Sequence, residues 1–324
     1  MECAKVNHLG LECLEGITPS LLNALSEIGI NTIEALAFST VKELETAGIS
    51  DDKAKLLIQR ARQLVIPKTF ITAKELMELR RNIKFLTTGA KALDKLIGGG
   101  YETQSITEFF GQYGSGKSQS VLTACITAQM PLEEGGLDGG VLFIDTEETF
   151  SPKRVMQIAE TRGLDPAKAL DRIVVAEAYN VEHQMFLVDR ADKIIKENDV
   201  KLIVVDSLTA HFRSEFLGRE TLAERQQKLN KHMHKLLKLA RVFNLAVIVT
   251  NQVYSKPDQS YVSFEWDAVG GNIVGHTSTL RLRIRKASAN KRIVTLVDSS
   301  WLPFGECAIC ITEKGIADVA DGEA

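Results

Sequence analysis

The stretch GQYGSGKS, residues Gly111 to Ser118, constrains the fold more than any other part of the sequence. Apolar residues stop at Phe110 and a helix-compatible run starts near Gln119, so the glycines lie between a strand and a helix. This spacing is that of a loop whose backbone amides surround a phosphate at the N-terminus of a helix. The sequence therefore predicts a phosphate-binding turn that connects a buried strand to a helix.

Each residue type in this loop suits a triphosphate. Gly114 and Gly116 let backbone N–H groups curl around the β-phosphate, and Lys117 reaches the β- and γ-phosphate oxygens, where the chemistry takes place. The Ser118 hydroxyl can bind Mg²⁺. The predicted nucleotide contacts are Gly111, Gln112, Tyr113, Gly114, Ser115, Gly116, Lys117, Ser118 and Gln119.

Two further acidic positions follow apolar runs that are typical of buried strands. In KLIVVDS, Asp206 comes at the carboxyl end of the run, where open α/β sheets bind ligands, and we predict that it joins Ser118 in binding Mg²⁺. Hydrolysis also requires a group that positions water. Glu147 in VLFIDTEETF is our candidate, and Glu148 and Asp145 remain alternatives.

Changes in the residue pattern along the chain predict its domain boundaries. Residues 1–64 read as short, well-capped helices, residues 65–82 as a linker broken at Pro67, and residues 83–324 as one large domain. In that domain, β-branched apolar runs alternate with helical stretches and are followed by strands of antiparallel pattern. The predicted fold class is α/β, with a P-loop core, a mostly parallel central sheet and a small all-helical N-terminal domain.

The N-terminal segment has residues that are typical of helix starts. Thr18 and Pro19 have the spacing of an N-cap and a first helical residue, and Thr40 with Glu43 forms a capping box. Two segments, ending in EIGI and TAGIS, resemble helix-hairpin-helix elements, which direct helix N-terminal amides at nucleic-acid phosphates. A plain helical domain remains open, because Asp51 and Asp52 would repel a phosphate.

Composition narrows the class of protein. The chain has 324 residues, 44% of them hydrophobic and 25% charged, as in globular proteins. It has no apolar run of membrane-spanning length and no signal-peptide pattern, so we expect a cytoplasmic, nucleoid-associated protein with no membrane partner. Residues 1–64 and 311–324 each carry a net charge of −3, which leaves +3 on residues 65–310.

The five cysteines do not indicate a disulfide scaffold. Only Cys307 and Cys310 form a CxxC pair, and ECAICIT reads as a strand without a second pair of metal ligands. We interpret both as core cysteines and assign no metal to them.

Several stretches, taken together, resemble the RadA recombinases, archaeal relatives of RecA. They include TTGAKALDKLIGGGYETQSITEFFGQYGSGKSQ, FIDTEETF, IVVDSLTAHFRSEFLGRETLAERQ, VTNQV, GGNIVGHTSTLRLRIRK and VDSSWLP, in the family's order. The resemblance covers nearly the whole chain. It implies a RecA-like ATPase, with ATP and Mg²⁺ as cofactors, that polymerises on single-stranded DNA and exchanges strands with a homologous duplex.

Carried over position by position, the resemblance implies roles for matching residues. Glu147 looks like the family's water-activating glutamate, and Gln252 like the glutamine that senses the γ-phosphate. His276 resembles a second sensor, although a lone histidine in VGHTS is more often structural. Arg154 completes the implied ATP contacts.

The DNA-facing and subunit-docking positions also rest on the resemblance. HFRSEFLGRETLAER matches the family's first DNA loop, and the second loop runs roughly from Val253 to Gly271. On spacing alone, arginines beside glutamates are usually surface pairs. TFITA resembles the docking motif between subunits, although without the family it would be an ordinary linker. The implied DNA contacts are Arg213, Arg219, Arg225, Lys256, Gly270 and Gly271, and the implied docking residues are Phe70 and Ala73.

The sequence also departs from the family pattern. Glu148 stands where the family usually has glycine, Ser151 where it often has arginine, and Ser300 where a proline is usual. These departures motivate one alternative, a DNA-binding mediator paralogue with weak ATPase activity. A ring-forming ATPase of the same fold is the other. Recombination mediator proteins are expected partners in addition to DNA and further copies of the chain.

Overall fold

The computed structural model describes residues 10–65, 70–218, 220–255 and 266–320. The chain divides into two compact units between Asn82 and Ile83, and the short segment Asp189–Lys193 groups with the first unit. Each unit has a hydrophobic core of its own.

The first unit is all helical, and two of its helices begin at caps that the sequence predicts. Thr18 accepts a hydrogen bond from the backbone N–H of Leu21, with Pro19 in the first turn, and Thr40 and Glu43 form the predicted capping box. A second capping box, at Thr72, starts the linker helix. The helices are α1 (Pro19–Glu27), α2 (Ile33–Ala37), α3 (Val41–Thr46), α4 (Asp51–Val65) and α5 (Ala73–Leu79), with 3-10 turns at Leu11–Cys13 and Arg80–Asn82.

The second unit is an α/β structure. The strands beyond Ile83 are β1 (Phe85–Leu86), β2 (Tyr101–Glu102), β3 (Ile106–Phe110), β4 (Gly140–Asp145), β5 (Ile173–Glu177), β6 (Val200–Asp206), β7 (Ala246–Asn251), β8 (Val253–Ser255), β9 (Trp266–Ala268), β10 (Leu280–Lys286), β11 (Lys291–Ser299), β12 (Gly305–Thr312) and β13 (Gly315–Asp318). The helices are α6 (Lys91–Leu96), α7 (Lys117–Thr127), α8 (Pro152–Thr161), α9 (Pro166–Asp171), α10 (Val181–Asp189), α11 (Ala191–Glu197), α12 (Ala210–Glu215), α13 (Leu222–Phe243) and α14 (Gly271–Thr277), with a 3-10 turn at Leu132–Glu134.

The central sheet has nine strands in the order β13-β12-β11-β10-β3-β7-β6-β4-β5. The strands from β10 to β5 are parallel, and β10 to β13 form an antiparallel meander, as predicted. Strands β3, β4 and β7 are buried along their whole length, because helices cover both faces of such a sheet. The sequence reading missed β13 and the small pairs β1–β2 and β8–β9.

The register aligns the ends of the parallel strands. Phe110 at the end of β3 pairs with Asn251 on β7, and Asp145 on β4 pairs with Asp206 on β6. The carboxyl ends of these four strands therefore meet along one edge of the sheet, which is where open α/β sheets bind ligands. Of the helices that the structure describes, none is both long enough and apolar enough to span a membrane.

The core interpretation of the CxxC pair is confirmed for Cys310, which is buried on β12. Cys307 is partly buried and packs against the main core. Burial raises the pKa of the Cys307 thiol to about 12, with smaller contributions from Asp318 and Asp94.

Candidate nucleotide-binding and active site

The glycine-rich loop lies in the predicted context. Strand β3 ends at Phe110 and helix α7 begins at Lys117. Gly116 caps the helix with a φ of 112°, a conformation that glycine adopts without strain. Gly111 is required for a different reason, because a Cβ at this position would lie 2.2 Å from the carbonyl oxygen of Ile284.

A cleft of about 740 Å³ opens over this loop. That volume is within the range of small-molecule sites. The lining residues are Gly111, Gln112, Tyr113, Gly114, Gly116, Lys117, Ser118, Gln119, Glu147, Thr149, Asp206, Gln252, Val253, Arg292 and Ile311. The structure thus brings most of the predicted nucleotide contacts together, while Ser115 is a buried residue of the loop and does not line the cleft.

Lys117 is held by the loop itself. Its Nζ donates hydrogen bonds to the carbonyl oxygens of Gly111, at 3.0 Å, and Gln112, at 3.1 Å. Burial lowers the pKa of Lys117, and the charges of Asp206 and Glu147 oppose that shift. The ammonium group therefore lies between the loop carbonyls and the acidic side of the cleft, where phosphate oxygens would be an alternative set of acceptors.

Ser118 and Asp206 lie together, as predicted for the Mg²⁺ site. Burial raises the pKa of Asp206, and hydrogen bonds from the Thr250 and Ser118 hydroxyls lower it. The Thr250 hydroxyl donates to Oδ1 of Asp206, and the Thr149 hydroxyl donates to Oδ2 at 3.5 Å. The Asp206 carboxylate and the Ser118 hydroxyl are both oxygen ligands, and they fit a metal ion that completes its coordination with water and phosphate. These residues therefore suit magnesium together with a nucleotide.

Asp145 and Glu147 have different roles in the loop after β4. The buried Asp145 carboxylate accepts hydrogen bonds from the backbone N–H groups of Glu147, Thr149 and Phe150, at 3.2, 3.2 and 2.8 Å. Its oxygens are therefore committed to shaping the loop. The exposed Glu147 side chain faces the cleft instead, which favours Glu147 over Asp145 as the group that positions water.

The ionisation of Glu147 is tuned by its neighbours. Partial burial raises the pKa of its carboxyl, and the charge of Asp206 adds to that effect. A hydrogen bond donated by Gln252 Nε2 lowers it, as does the charge of Lys117. A carboxyl with a raised pKa accepts a proton more readily than an ordinary glutamate does, which suits a general base.

Gln252 also contacts the first predicted DNA loop. Its Oε1 accepts a hydrogen bond of 2.9 Å from Arg213 Nη1 on α12. A continuous chain of side chains therefore runs from Arg213 through Gln252 to Glu147. The neighbouring Asn251 accepts from Thr209 Oγ1 at 2.6 Å and donates to the carbonyl of Val269 at 2.6 Å, so the bases of both predicted DNA loops meet at the end of β7.

Arg154 and His276 lie apart from this cleft lining. Arg154 Nε donates to Gln119 Oε1 at 2.8 Å, and its other nitrogens donate to the carbonyls of Thr312 and Glu313. It therefore joins the start of α7 to the β12–β13 turn. His276 is exposed on α14 and lines a separate cavity of about 860 Å³ with Asp298 and Ser300. A role for His276 at a nucleotide would require the nucleotide of a second copy.

The remaining predicted residues are those for DNA binding and subunit docking. Arg225 lies half-buried in the first turn of α13. Gly270 has a φ of 95° and caps α14, which begins at Gly271. In the linker, Phe70 is 91% exposed and Ala73 is exposed at the start of α5. Arg219 and Lys256 lie outside the described residues.

Sequence reasoning missed four groups at this site. Thr149 and Thr250 contact Asp206, and Arg292 from β11 lines the cleft. A fully buried Glu108 accepts hydrogen bonds from Asn251, at 2.7 Å, and from Arg281, at 2.8 Å. The polar Glu108 inside the apolar run SITEFF was a usable signal, because a buried carboxylate requires a partner. The threonines and Arg292 carried no comparable signal.

The fold and the site define a P-loop nucleotide-binding protein with a RecA-like core. The sequence matches the family model described as Rad51 over residues 79–319, and that of the SAM-like helix-hairpin-helix tandem over residues 10–63. It is 47% identical over 313 residues to a protein of Ignicoccus hospitalis described as DNA repair and recombination protein RadA, with 95% of each chain covered. The chain belongs to the Rad51 family.

Proposed function

We propose that this chain is a recombinase of DNA repair and homologous recombination, which hydrolyses ATP, polymerises on single-stranded DNA and exchanges strands with a homologous duplex. Family membership and the name of the Ignicoccus relative support the recombinase function. The observation that carries the coupling of ATP to DNA is the hydrogen-bonded chain from Arg213 through Gln252 to Glu147.

The residues of the cleft divide the hydrolytic work among them. Bound Mg²⁺-ATP supplies the bond to be cleaved and a metal ion that neutralises charge on the phosphates. Lys117 and the amides at the start of α7 would hold the phosphates, and Ser118 and Asp206 would hold the metal. Glu147 orients a water molecule and accepts its proton. Catalysis of this kind depends on positioning and on electrostatic stabilisation.

Arg213 connects that machinery to DNA. An exposed guanidinium can exchange a neutral amide acceptor for a phosphate oxygen, which is charged and forms the stronger hydrogen bond. When Arg213 moves to a DNA phosphate, the Gln252 side chain loses one of the two partners that it has among the described residues and is free to reorient. The contact between Gln252 and Glu147 then changes, so the hydrolytic group responds to DNA.

One chain carries both surfaces that self-assembly would require, a docking segment and a strand edge that could receive it. Phe70 is exposed just ahead of α5, and β5 is an outer strand of the central sheet on which Val175 is 38% exposed. An extended segment with an aromatic anchor can add to such a strand edge of another copy. Head-to-tail contacts that do not close produce a helical filament, and those that close produce a ring.

The test is ATP turnover with and without single-stranded DNA, together with DNA affinity, in the wild type and in two variants. We expect DNA to stimulate the wild type. Gln252→Ala should bind DNA but lose the stimulation, whereas Arg213→Ala should lose both. The control is Arg172→Ala, which removes an arginine paired with Asp138 and should leave both properties unchanged. Equal turnover with and without DNA in the wild type would contradict the proposed coupling.

One observation favours the second candidate, a mediator with weak ATPase activity. Glu148 has a φ of 54°, in the left-handed region that suits the glycine usual in the family, and it places another carboxylate beside Glu147. A strand-exchange assay with a homologous duplex distinguishes the two functions. Joint molecules support the recombinase, and filaments without joint molecules support the mediator. For a ring, Phe70→Ala would leave assembly intact, whereas a filament should fall apart into monomers.

A further inference from the structure

Arg292 is a buried cation on the wall of the nucleotide cleft. Its side chain is 7% exposed, yet it lines the cleft above the phosphate loop. Its Nη1 donates to the carbonyl oxygens of Ser288, Ala289 and Lys291, at 3.3, 3.1 and 3.0 Å. Among the described residues, its Nε has no hydrogen-bond partner.

A structural role alone does not account for the contacts of the Arg292 guanidinium. The Nη1 contacts anchor the guanidinium to the β10–β11 turn, but they are neutral acceptors and leave the charge without a counterion. Among the described residues, no carboxylate forms an ion pair with Arg292. Burying a cation without an anionic partner is costly, so such a group usually has a functional reason to be retained.

The position of Nε indicates what its partner would be. A Cβ built on Gly116 would lie 3.5 Å from Nε, so the N–H group lies against the residue that caps α7. Arg292 shares one face of β11 with the buried Val294 and Leu296 and stands at the end of that row nearest the loop. The donor therefore lies beside the helix N-terminus, where phosphate binds.

The order of the strands separates two sides of the cleft. Glu147, Asp206 and Gln252 follow β4, β6 and β7 on one side of β3, whereas Arg292 is on β11, two strands away on the other side. With the phosphate to be cleaved at the hydrolytic residues on the first side, the part of a nucleotide that is retained after cleavage would extend toward the second side.

We propose that Arg292 is a nucleotide-binding residue whose Nε–H donates to an oxygen of the α-phosphate. This inference rests on the proposed function, since it requires a nucleotide in the cleft. Because the α-phosphate is common to ATP and ADP, Arg292 contributes to the affinity for both. It thereby differs from Glu147 and Gln252, which act on the phosphate that leaves.

The experiment measures binding, not turnover. ADP and inorganic triphosphate compete with a fluorescent ADP analogue on the wild type, Arg292→Gln, Arg292→Lys and Arg285→Gln. The last is a matched control, since Arg285 is an exposed arginine on the adjacent strand β10. We expect Arg292→Gln to weaken binding of both ligands by about tenfold or more, as the loss of a charge-assisted hydrogen bond requires. Arg285→Gln should stay within about twofold.

The outcomes separate the possibilities. A lowered thermal stability with unchanged ADP affinity would reduce Arg292 to an anchor of the turn and overturn the proposal. A loss for ADP without a loss for triphosphate would place the contact on the sugar or base and overturn the phosphate assignment. If Arg292→Gln does not fold, Arg292→Lys carries the test, with an expected several-fold loss. Failure of the wild type to bind either ligand would contradict the proposed function instead.

Discussion

The two units of this chain are organised by different kinds of contact. In the first unit, each of α1, α2 and α3 begins at a threonine that caps the amide three residues later. In the second unit, the groups that meet at the cleft come from distant positions, and the contact between Glu147 and Gln252 joins residues 105 apart in sequence.

Because of this difference, substitutions in the first unit and in the cleft should affect different properties. The first unit presents caps and an apolar core, so changes there should act on folding. The polar groups of the cleft lie at strand ends, outside the apolar core around Phe109 and Phe143, so changes there should act on binding and turnover. Substitutions in one unit should therefore leave the properties of the other unchanged, and four predictions test this.

The largest expected effect is that of Glu147→Gln. Removing the base should lower ATP turnover by about 10²- to 10⁴-fold, while the affinity for ATP and the thermal stability stay close to those of the wild type. Steady-state kinetics and nucleotide titration measure the two. The adjacent Glu148→Gln is the matched control and should retain most of the turnover. Equal losses in both variants would contradict the assignment of Glu147.

Next is Leu44→Ala in the first unit. Leu44 is fully buried, and truncating a buried leucine costs about 2–5 kcal/mol. Calorimetry should show an earlier unfolding event, with ADP affinity unchanged. Leu56, 46% exposed on α4, provides the control, since Leu56→Ala should alter stability by no more than about 0.5 kcal/mol. A parallel loss of ADP affinity in Leu44→Ala would mean that the units are not independent.

A smaller effect is expected from Thr40→Ala. It removes the hydroxyl that accepts from the backbone N–H of Glu43 and should destabilise the first unit by about 1 kcal/mol. Chemical denaturation followed by circular dichroism measures the change. Thr46→Ala, at the exposed C-terminal end of the same helix, should cost less. If the two variants are equally stable, the cap does not hold this helix.

The smallest expected effect is a displacement of the pH profile in Gln252→Ala. The Gln252 hydrogen bond lowers the pKa of Glu147, so its removal should raise that pKa further. Because Glu147 works in its charged form, the acidic limb of kcat/KM should move to higher pH. Arg213→Ala, assayed without DNA, keeps the contact with Glu147 and should leave the limb in place. A shift toward lower pH would contradict the proposed interaction.

Much of the fold could be predicted from local patterns. The strand, loop and helix around Lys117 are confirmed, because a glycine pattern between an apolar run and a helical run has few structural solutions. The caps at Thr18 and Thr40 are also confirmed, because a capping side chain and the amide that it accepts from are only three positions apart. Strand β13 was missed because it is only four residues long, and its pairing with β12 is a tertiary contact that its own sequence does not announce.

The site was predictable in part. Ser118 and Asp206 could be paired in advance, since the phosphate loop that carries Ser118 follows one parallel strand and Asp206 ends another. Thr250 and Arg292 could not, because threonines and arginines are common and neither position has a diagnostic spacing. Assigning Asp145 to the loop backbone also required the structure, where its oxygens accept from three amides.

For this chain, the sequence was sufficient to establish the phosphate loop, the capped helices and the family resemblance, since each depends on residues within a few positions of one another. Folding was needed to bring Arg213, Gln252 and Glu147 into one hydrogen-bonded chain and to bury Arg292 beside Gly116. The physical reason is that strand order and register bring distant residues within hydrogen-bonding reach, and neither is encoded in any short stretch.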